Sequence, residues 1–347
     1  MKILVTGASG FIGSFLCEEG LSQHHEVWAG VRRTSSRRYL QDKALRFLEL
    51  DFSDEQRLEE QLKTHLREHG RWDVIIHCAG VTKCIHPSDF ELNNYTYTRR
   101  FVEALIRLQM VPQQFVYLSS LSVFGPIREV PAHKDFPVGS SVLYAPITAE
   151  DEPCPNTAYG KSKLKTEQWL KRLGDRLPTV IFRPTGVYGP RERDYFLMAK
   201  SIKNHVDFSV GYRRQEITFI YVKDLVKAIY LAVEKEITGK SYFVSDGGVY
   251  ESRSFSDFIQ RELGNPRVLH IKSPLWLLRV ISFLAGWGAG LMGKSSTLNN
   301  DKYQIMKQRN WQCDIKPLCD ELGFKPEYDL ERGVHETIAW YKQENWL

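Results

Sequence analysis

The first thirteen residues constrain the fold of this chain more than any other stretch. Ile3–Val5 is a short apolar run that predicts a buried parallel strand, and an apolar helical pattern begins at Phe11. Between them, Gly7, Gly10 and Gly13 follow the spacing G-x-x-G-x-x-G. Glycines between a strand and a helix let the backbone approach a pyrophosphate, which the helix N-terminus then binds. The stretch therefore predicts a dinucleotide-binding βαβ unit, with a ligand-free strand–turn–helix as the alternative.

Length, charge and cysteine content limit the class of protein. At 347 residues the chain suits one large α/β domain with a smaller companion. Its net charge of +5 is small for this length, so it argues for neither a nucleic-acid partner nor a membrane surface, and we expect no nucleic-acid partner. The six cysteines form no C-x-x-C pair and no His/Cys metal spacing, so we expect reduced thiols, no metal and a cytoplasmic location. A strand that starts at residue 2 leaves no room for a signal peptide.

One uncharged stretch, 280–293, is a candidate membrane element. Its fourteen residues are too few to span a bilayer, and its four glycines weaken a helix. A buried or substrate-covering segment is favoured over a membrane-surface anchor. We therefore expect no transmembrane span, and peripheral membrane contact stays open.

A basic run follows the predicted second strand, Glu26–Val31. In an NAD-binding βαβ unit an acidic residue lies ~20 residues past the glycines and accepts from the ribose 2′-hydroxyl. Arg32 and Arg33 occupy that place here, and no acidic residue follows before Asp42. A guanidinium can pair with a 2′-phosphate, which a carboxylate would repel. The sequence therefore favours NADP, with NAD as the other candidate cofactor and a solvated basic loop as the alternative interpretation of the arginines.

Three further predicted strands end in small or polar residues. Phe47–Phe52 carries Asp51 near its carboxyl end, Asp73–Gly80 closes on an alanine and a glycine, and Gln114–Ser120 ends in two serines. A helix is predicted over Leu92–Leu108. Because ligands bind at the carboxyl ends of strands in open α/β sheets, we expect the cofactor at this edge.

Tyr159 and Lys163 form the most informative pair in the middle of the chain. They are four residues apart in a predicted helix, so both side chains leave the same helical face. A nearby ammonium favours the phenolate and lowers the pKa of a tyrosine, which suits it to exchange a proton with a carbinol or carbonyl oxygen. A hydroxyl from Ser119, Ser120 or Ser122 can hold the same oxygen.

The order of these elements predicts the domain organisation. Residues 1–178 form mainly a dinucleotide-binding domain whose sheet also takes strands from 179–245, and residues 184–347 form mainly an interleaved substrate-binding region. The expected fold class is α/β, with a Rossmann-type doubly wound parallel sheet and a smaller carboxyl-terminal α/β region. The irregular segment 126–155 is interpreted as part of the active-site rim, because loops of that length are uncommon unless functional.

Together these motifs resemble the extended short-chain dehydrogenase/reductase family, also called the NAD-dependent epimerase/dehydratase group. The resemblance runs nearly end to end and implies an NAD(P)-dependent dehydrogenase or reductase. It is carried by the glycine motif and by Asp51-Phe52, His77–Gly80, Asn94, Ser119–Gly125, Tyr159–Lys163, Arg183–Pro190, Tyr221–Asp224 and Glu321–Pro326.

The resemblance also implies residue roles. Tyr159 is expected to be the acid/base, Ser120 the catalytic serine, and Lys163 the residue that holds the nicotinamide ribose and tunes Tyr159. Asp51 is expected to contact the adenine, and Asn94 to organise the central helix and the active site. The cofactor-binding residues expected on this basis are Gly7, Gly10, Phe11, Ile12, Gly13, Arg32, Asp51, Phe52, Ala79, Gly80, Asn94, Tyr159, Lys163 and Pro184.

Three positions bear on the branch of the family. Sugar-nucleotide members usually have Asn where this chain has Gly186, and Arg-Asp where it has Ile217 and Thr218. The loss of these polar groups argues against a sugar-nucleotide substrate. The motifs Val31-Arg32, Ser119–Leu121 and Phe124–Pro126 and the apolar segment 274–293 are instead similar to the 3β-hydroxysteroid dehydrogenase and dihydroflavonol reductase-like branch. The rival account is that Arg213-Arg214 supplies a diphosphate clamp.

The expected function is interconversion of a secondary alcohol and a ketone on a bulky, mostly apolar small molecule that is sterol- or flavonoid-like. Trp276, Phe283 and Trp287 are expected to contact this substrate. The alternatives are an NAD-dependent nucleotide-sugar epimerase or dehydratase and a non-catalytic NAD(P)-sensing protein. The oligomeric state is open, with a homodimer among the expected assemblies.

Overall fold

The chain folds around a parallel sheet. The computed structural model describes residues 1–131, 143–277, 279–280 and 300–347. The strands are β1 (Lys2–Thr6), β2 (Glu26–Val31), β3 (Arg46–Glu49), β4 (Val74–His77), β5 (Gln114–Leu118), β6 (Thr179–Pro184), β7 (Gly186–Tyr188), β8 (Val206–Val210), β9 (Glu216–Ile217), β10 (Phe219–Tyr221), β11 (Ser241–Val244), β12 (Tyr250–Glu251) and β13 (Leu269–Ser273).

Helices flank the sheet and carry the substrate-binding region. They are α1 (Phe11–Ser22), α2 (Glu55–His69), α3 (Pro87–Phe90), α4 (Tyr97–Arg107), α5 (Ala158–Leu173), α6 (Asp194–Lys203), α7 (Val222–Glu234), α8 (Ser254–Glu262), α9 (Asn300–Lys307), α10 (Lys316–Leu322) and α11 (Leu330–Gln343). Residues 275–277 and 279–280 are also helical.

Seven strands form the main sheet, in the order β11-β6-β5-β4-β1-β2-β3, and all neighbours in it are parallel. The strand order reverses direction beside β1, which is where doubly wound sheets open a crevice for ligands. The predicted fold class, a Rossmann-type doubly wound sheet, is therefore confirmed.

The sheet is buried on both faces, which explains its near-continuous apolar strands. Ile3 and Val5 of β1 pack with α1 and α7, whereas Leu4 packs on the opposite face with α2 and α4. This alternation follows from the two-residue period of a strand.

The structure differs from the sequence prediction in several elements. The helix predicted over Leu92–Leu108 begins with a π-helical turn, Glu91–Thr96, before α4. The third strand ends at Glu49, so Asp51 lies in the loop beyond it. The ribbons β8–β13 and β9–β12 were not predicted, because their pairing joins segments that are distant in sequence.

The carboxyl-terminal region is fastened to the sheet through α7. The Asp224 carboxylate in the first turn of α7 accepts hydrogen bonds from the backbone N–H groups of Glu327 and Tyr328, at 2.9–3.1 Å. Strands β6 and β11 enter the main sheet from the second half of the chain. The boundary between the two predicted regions is therefore crossed repeatedly by the chain.

Most of the apolar segment 274–293 lies outside the described residues, including Phe283 and Trp287. Residues 132–142 of the expected active-site rim also lie outside them. Trp276 is described and is 68% exposed, and its contact with the substrate stays a prediction. Within the described ranges, no helix has the length and hydropathy needed to cross a membrane.

Candidate active site

A cavity of about 620 Å³ lies at the carboxyl edge of the main sheet. Its walls come from the loop between β1 and α1, the ends of β4 and β5, the first turn of α5, and α6. The lining residues include most of the predicted site: Gly7, Gly10, Phe11, Ile12, Gly13, Gly80, Ser120, Tyr159, Lys163 and Pro184.

A second cavity, of about 350 Å³, adjoins the first. Arg32, Asp51, Phe52 and Ala79 line it, and Gly7, Gly10, Cys78, Gly80 and Val81 line both cavities. The two therefore form a continuous channel that runs from the basic loop after β2, past the glycines, to Tyr159. The structure thus brings together predicted residues that are spread over more than half of the chain.

The glycine loop is shaped as its sequence indicates. Gly7 has φ +70°, and a Cβ there would lie 2.8 Å from the backbone nitrogen of Ala79. At Gly13 a Cβ would lie 2.2 Å from the Gly7 carbonyl oxygen. Any side chain at these two positions would push apart the strand, the loop and α1, so both need glycine.

Tyr159 and Ser120 meet inside the cavity. Burial raises the pKa of Tyr159 to about 12, and a hydrogen bond with the Ser120 side chain opposes that shift in part. The Ser120 hydroxyl also donates to the Ser122 oxygen at 3.0 Å. The prediction that a nearby ammonium lowers the pKa of Tyr159 is wrong for this structure, because desolvation of the phenolate dominates.

Lys163 is buried beside Tyr159 but interacts with the sheet. Its Nζ donates to the Leu118 carbonyl at 2.7 Å and lies 4.9 Å from the centre of the Tyr117 ring. Burial lowers its pKa to about 8, although the charges of Cys78 and Glu167 act in the opposite direction. The ammonium thus faces the strand end, where the hydroxyl of Ser119 is buried without a hydrogen-bond partner in the described part of the chain.

Asn94 lies in the π-helical turn and links three elements. Its side-chain oxygen accepts from the Val81 N–H at 2.8 Å, and its Nδ2 donates to Val81 O and Ser162 Oγ. The Asn94 carbonyl accepts from the hydroxyls of Thr98 and Thr166. A π turn at this point is a feature that helical periodicity does not reveal. Asn94 therefore organises the centre of the site, without lining either cavity.

Helix α5 is anchored by a buried ion pair. The Arg183 guanidinium on β6 donates to both carboxylate oxygens of Glu167, at 2.6–3.2 Å, and the two side chains are 5% and 1% exposed. The guanidinium also lies over the rings of Phe124 and Phe243. This fixes the rotation and depth of the helix that carries Tyr159 and Lys163.

The outer end of the large cavity contains residues that the sequence did not indicate. Asp194, at the start of α6, forms ion pairs with Lys83 and Lys302. Burial raises the pKa of Asp194, and the two ammonium groups outweigh it, so the net shift is downward. Tyr195 and Met198 form an apolar wall next to this cluster. Nothing local marks these residues, since the tertiary fold brings α6 and α9 to the cavity.

The basic loop after β2 lies at the end of the channel opposite to Tyr159. The backbone N–H of Arg32 donates to Ser35 Oγ at 3.1 Å, and its guanidinium forms no ion pair with any described residue. Asp51 accepts from Ser53 and lies 3.7 Å from a guanidinium nitrogen of Arg57. The hydrogen bond from the Ser53 hydroxyl is the largest cause of its lowered pKa. The carboxylate is therefore ionised at neutral pH and able to accept further hydrogen bonds.

The sequence of the chain matches the model of the NAD dependent epimerase/dehydratase family over residues 3–245. The chain belongs to this family, within the extended short-chain dehydrogenases/reductases, and is an NAD(P)-dependent enzyme of that class. The resemblance inferred from the motifs is therefore confirmed.

Its relatives have more than one activity. The chain is 24% identical to UDP-glucose 4-epimerase from Vibrio cholerae, covering 99% of this chain and 96% of that one. It is 22% identical to a decarboxylating sterol-4-alpha-carboxylate 3-dehydrogenase from Candida albicans, covering 99% and 98%. The solved structure of Thermus thermophilus UDP-glucose 4-epimerase in complex with NAD superposes with a TM-score of 0.74, at 19% identity and 99% coverage of both chains.

The channel has the features that a nicotinamide dinucleotide requires. Glycines line its middle, where a diphosphate needs close approach to backbone N–H groups and a helix N-terminus. Ser119 lines its inner end, and the buried hydroxyl of this residue has no hydrogen-bond partner among the described residues. These residues fit the cofactor that the family uses.

The buried ammonium of Lys163 makes stability depend on pH. In the unfolded chain the pKa of a lysine is near its ordinary value of 10.5, and in the folded protein it is about 8. Between these values the unfolded state binds more protons, so the free energy of unfolding rises with pH. Relative to Lys163→Met, the unmodified protein should gain up to about 3 kcal/mol between pH ~7.5 and pH ~10.5. Urea unfolding of both proteins across this range measures the difference.

The exposed Lys161, two residues earlier on α5, provides the matched control. Lys161→Met should show a pH profile parallel to that of the unmodified protein. Parallel profiles for Lys163→Met as well would contradict a buried ammonium with a lowered pKa.

Proposed function

We propose that this protein is an NAD(P)-dependent oxidoreductase that interconverts a secondary alcohol and a ketone on a bulky, mostly apolar, sterol-like substrate. The observation that carries the proposal is the arrangement of the large cavity, where Tyr159 and Ser120 face an apolar wall of Val187, Tyr195 and Met198. Proton-transfer groups thus lie beside a surface that gains free energy by covering an apolar ring system.

The reaction divides between the cofactor and the chain. The nicotinamide supplies or accepts the hydride. We assign to Tyr159 the transfer of a proton to or from the substrate oxygen, and to Ser120 the hydrogen bond that holds this oxygen. Lys163 and Ser119 are assigned to the nicotinamide ribose, since both lie at the inner end of the channel. With a pKa of about 12 for Tyr159, the phenol is protonated at neutral pH and ready to protonate a reduced ketone.

The surroundings of Gly186 support an apolar substrate. A Cβ at this position would lie 2.8 Å from the Tyr195 hydroxyl oxygen and 3.2 Å from the Phe219 ring. The space that an asparagine side chain would need is therefore filled by aromatic residues. Thr218, at another polar position of the sugar-nucleotide members, donates its hydroxyl to the Trp311 carbonyl at 2.5 Å.

Arg213 and Arg214, the residues of the alternative diphosphate clamp, lie outside the large cavity. Arg214 pairs with Glu216 at 3.2 Å and with Glu251 at 3.8 Å. Arg213 is exposed, and neither arginine lines the large cavity. This arrangement argues against a diphosphate clamp built from the two residues.

A second candidate is a nucleotide-sugar epimerase or dehydratase, and one observation favours it. Lys302 and Asp194 line the outer end of the cavity, and Lys83 pairs with the same Asp194 carboxylate. Ammonium groups at this end of the cavity suit the oxygens of a diphosphate. A polar end and an apolar wall also suit an apolar substrate with one anionic substituent.

For the cofactor we infer a preference for NADP. Arg32 lines the second cavity, and its guanidinium is not engaged by a described carboxylate. A 2′-phosphate at this end would gain a charge-assisted hydrogen bond.

The assignment of proton transfer to Tyr159 is tested by removing its hydroxyl. Tyr159→Phe should reduce turnover by on the order of 10²–10⁴, because the hydroxyl that exchanges the proton is absent. Its affinity for the cofactor should change little. Steady-state rates with a ketone panel, followed through nicotinamide absorbance, measure the first effect, and fluorescence titration measures the second. Tyr95→Phe, outside both cavities, is the control and should retain full turnover.

The raised pKa of Tyr159 gives a directional test of the same assignment. Titration of Tyr159 should not limit ketone reduction from pH ~6 to ~9, because the phenol stays protonated, so a change of rate near pH 8 would report Lys163 instead. Alcohol oxidation should rise with pH, because it needs the phenolate. Normal turnover in Tyr159→Phe would remove the tyrosine from the mechanism.

The second prediction concerns cofactor choice. NADPH should bind more tightly than NADH, and Arg32→Ala should erase most of that gap by removing a contact worth roughly 1.5–3 kcal/mol. Arg71→Ala, at an exposed position outside both cavities, should leave the gap intact. Isothermal titration with both cofactors measures it, and equal affinities in the unmodified protein would overturn the preference.

The third prediction concerns the substrate class. With cofactor present, hydrophobic ketones or sterols should raise the melting temperature, whereas UDP and dTDP should not. Met198→Ser should weaken the shift by removing part of the apolar wall. A shift with UDP that disappears in Lys83→Met or Lys302→Met would instead support the nucleotide-sugar candidate.

A further inference from the structure

The ribbon formed by β8 and β13 has its apolar face toward solvent. The strands pair in parallel, with Leu269 opposite Val206 and Ile271 opposite Phe208, so these four side chains share one face. Phe208 and Leu269 are 62% and 65% exposed. In an ordinary two-layer arrangement the apolar face would be the covered one.

The polar face of the same ribbon is the one turned to the protein. Asp207 is buried, accepts from the hydroxyl of Ser256 in α8, and lies 3.1 Å from His270 Nδ1. A one-residue change of register would bury the apolar side chains instead. The Asp207 contacts hold the observed register, so the exposed apolar face is a built feature of the ribbon.

Aromatic and aliphatic side chains extend this face beyond the ribbon. The Tyr212 hydroxyl donates to the Lys272 carbonyl, and a Cβ at Gly211 would lie 3.8 Å from the Leu275 side chain. Tyr212 and Trp276 are both 68% exposed. We call the set Phe208, Tyr212, Leu269, Ile271, Leu275 and Trp276 the apolar ribbon surface.

Positive charge surrounds the apolar ribbon surface. The segments 203–214 and 263–280 together carry six lysines and arginines and one acidic residue, the buried Asp207. Arg214 is paired with glutamates, whereas Lys203, Arg213, Arg267, Lys272 and Arg279 are exposed. The cations of the two segments are exposed, whereas the acidic side chain within them is buried.

We propose that the apolar ribbon surface docks on the face of an anionic lipid bilayer. Exposed aromatic and aliphatic side chains enter the headgroup region, and the surrounding cations pair with lipid phosphates and carboxylates. Aromatic rings with a polar edge, such as those of Tyr212 and Trp276, suit this interface. Charge complementarity selects this occupant over a second copy of the chain, since two such surfaces would repel each other.

The surface lies next to the substrate end of the active-site cavity. Helix α6 lines the cavity with its first two turns and leads at its other end into β8. Its ten residues span ~15 Å. An enzyme docked in this way has its cavity close to the bilayer, where apolar substrates accumulate.

Sedimentation of the full chain with phospholipid vesicles tests the proposal without a turnover measurement, so its outcome is independent of the substrate class. The protein should bind vesicles that contain phosphatidylserine, and pure phosphatidylcholine should bind it at least about tenfold more weakly. Phe208→Ser with Leu269→Ser, and separately Arg267→Glu with Lys272→Glu, should each weaken binding by about tenfold or more.

Two matched controls lie elsewhere on the surface. Val130→Ser removes an exposed apolar side chain outside the ribbon, and Arg71→Glu with Lys325→Glu reverses two exposed charges distant from it in sequence. Both should bind vesicles like the unmodified protein. Circular dichroism and melting temperature check that all variants are folded.

Three results would overturn the proposal. The first is the absence of vesicle binding, and the second is equal loss in the control variants. The third is a change of oligomeric state or a lower melting temperature in Phe208→Ser with Leu269→Ser while vesicle binding is retained. That result would show that another copy, or the chain itself, covers the surface.

Discussion

The ion pair between Arg183 and Glu167 is the interaction on which the site depends. Both groups are almost fully buried, so the desolvation cost of two charges is offset only by their close bidentate geometry. Removing one partner would leave an uncompensated charge, at a cost of about 3–5 kcal/mol. The pair holds α5 against β6, and α5 positions Tyr159 and Lys163 over the ends of β4 and β5. A small rotation of this helix would separate both residues from the cavity.

A second level of support comes from the π turn at Asn94. The hydroxyl of Thr166 on α5 donates to the Asn94 carbonyl. The Asn94 side chain also fixes the loop after β4 through Val81. Asn94 thus connects α5 to the channel and to α4, which follows the π turn. Rigid elements hold the candidate catalytic groups, as acid–base chemistry requires.

Burial acts in opposite directions on the two neighbouring titratable groups. It raises the pKa of Tyr159 and lowers that of Lys163, because both charged forms lose solvation. The site therefore favours a neutral phenol beside an amine that titrates near neutral pH. This environment suits a proton donor and hence the reduction of a ketone. The protonation state of Tyr159 is set by burial rather than by an ion pair with Lys163.

Local sequence signals were enough to predict the fold class and the site residues, of which all but Asn94 line the two cavities. These depend on local signals: the glycine spacing, the apolar strands, the four-residue spacing of Tyr159 and Lys163, and the rule that ligands meet strand carboxyl ends. Asp224 also belongs to a motif of the family. In the structure its carboxylate accepts hydrogen bonds from the backbone of Glu327 and Tyr328.

The surroundings of those residues depend on tertiary contacts. Asn94 bonds to Ser162 and Thr166. Asp194 pairs with Lys83 and Lys302, and Phe219 packs at Gly186, so each contact joins separate elements of the chain. Periodicity predicts which face of an element is apolar, but it does not predict which distant side chain packs there. The pKa of Tyr159 depends on desolvation by the whole fold, so the spacing to Lys163 alone predicted the wrong direction. The outward apolar face of the β8–β13 ribbon likewise follows from a long-range register that the contacts of Asp207 impose.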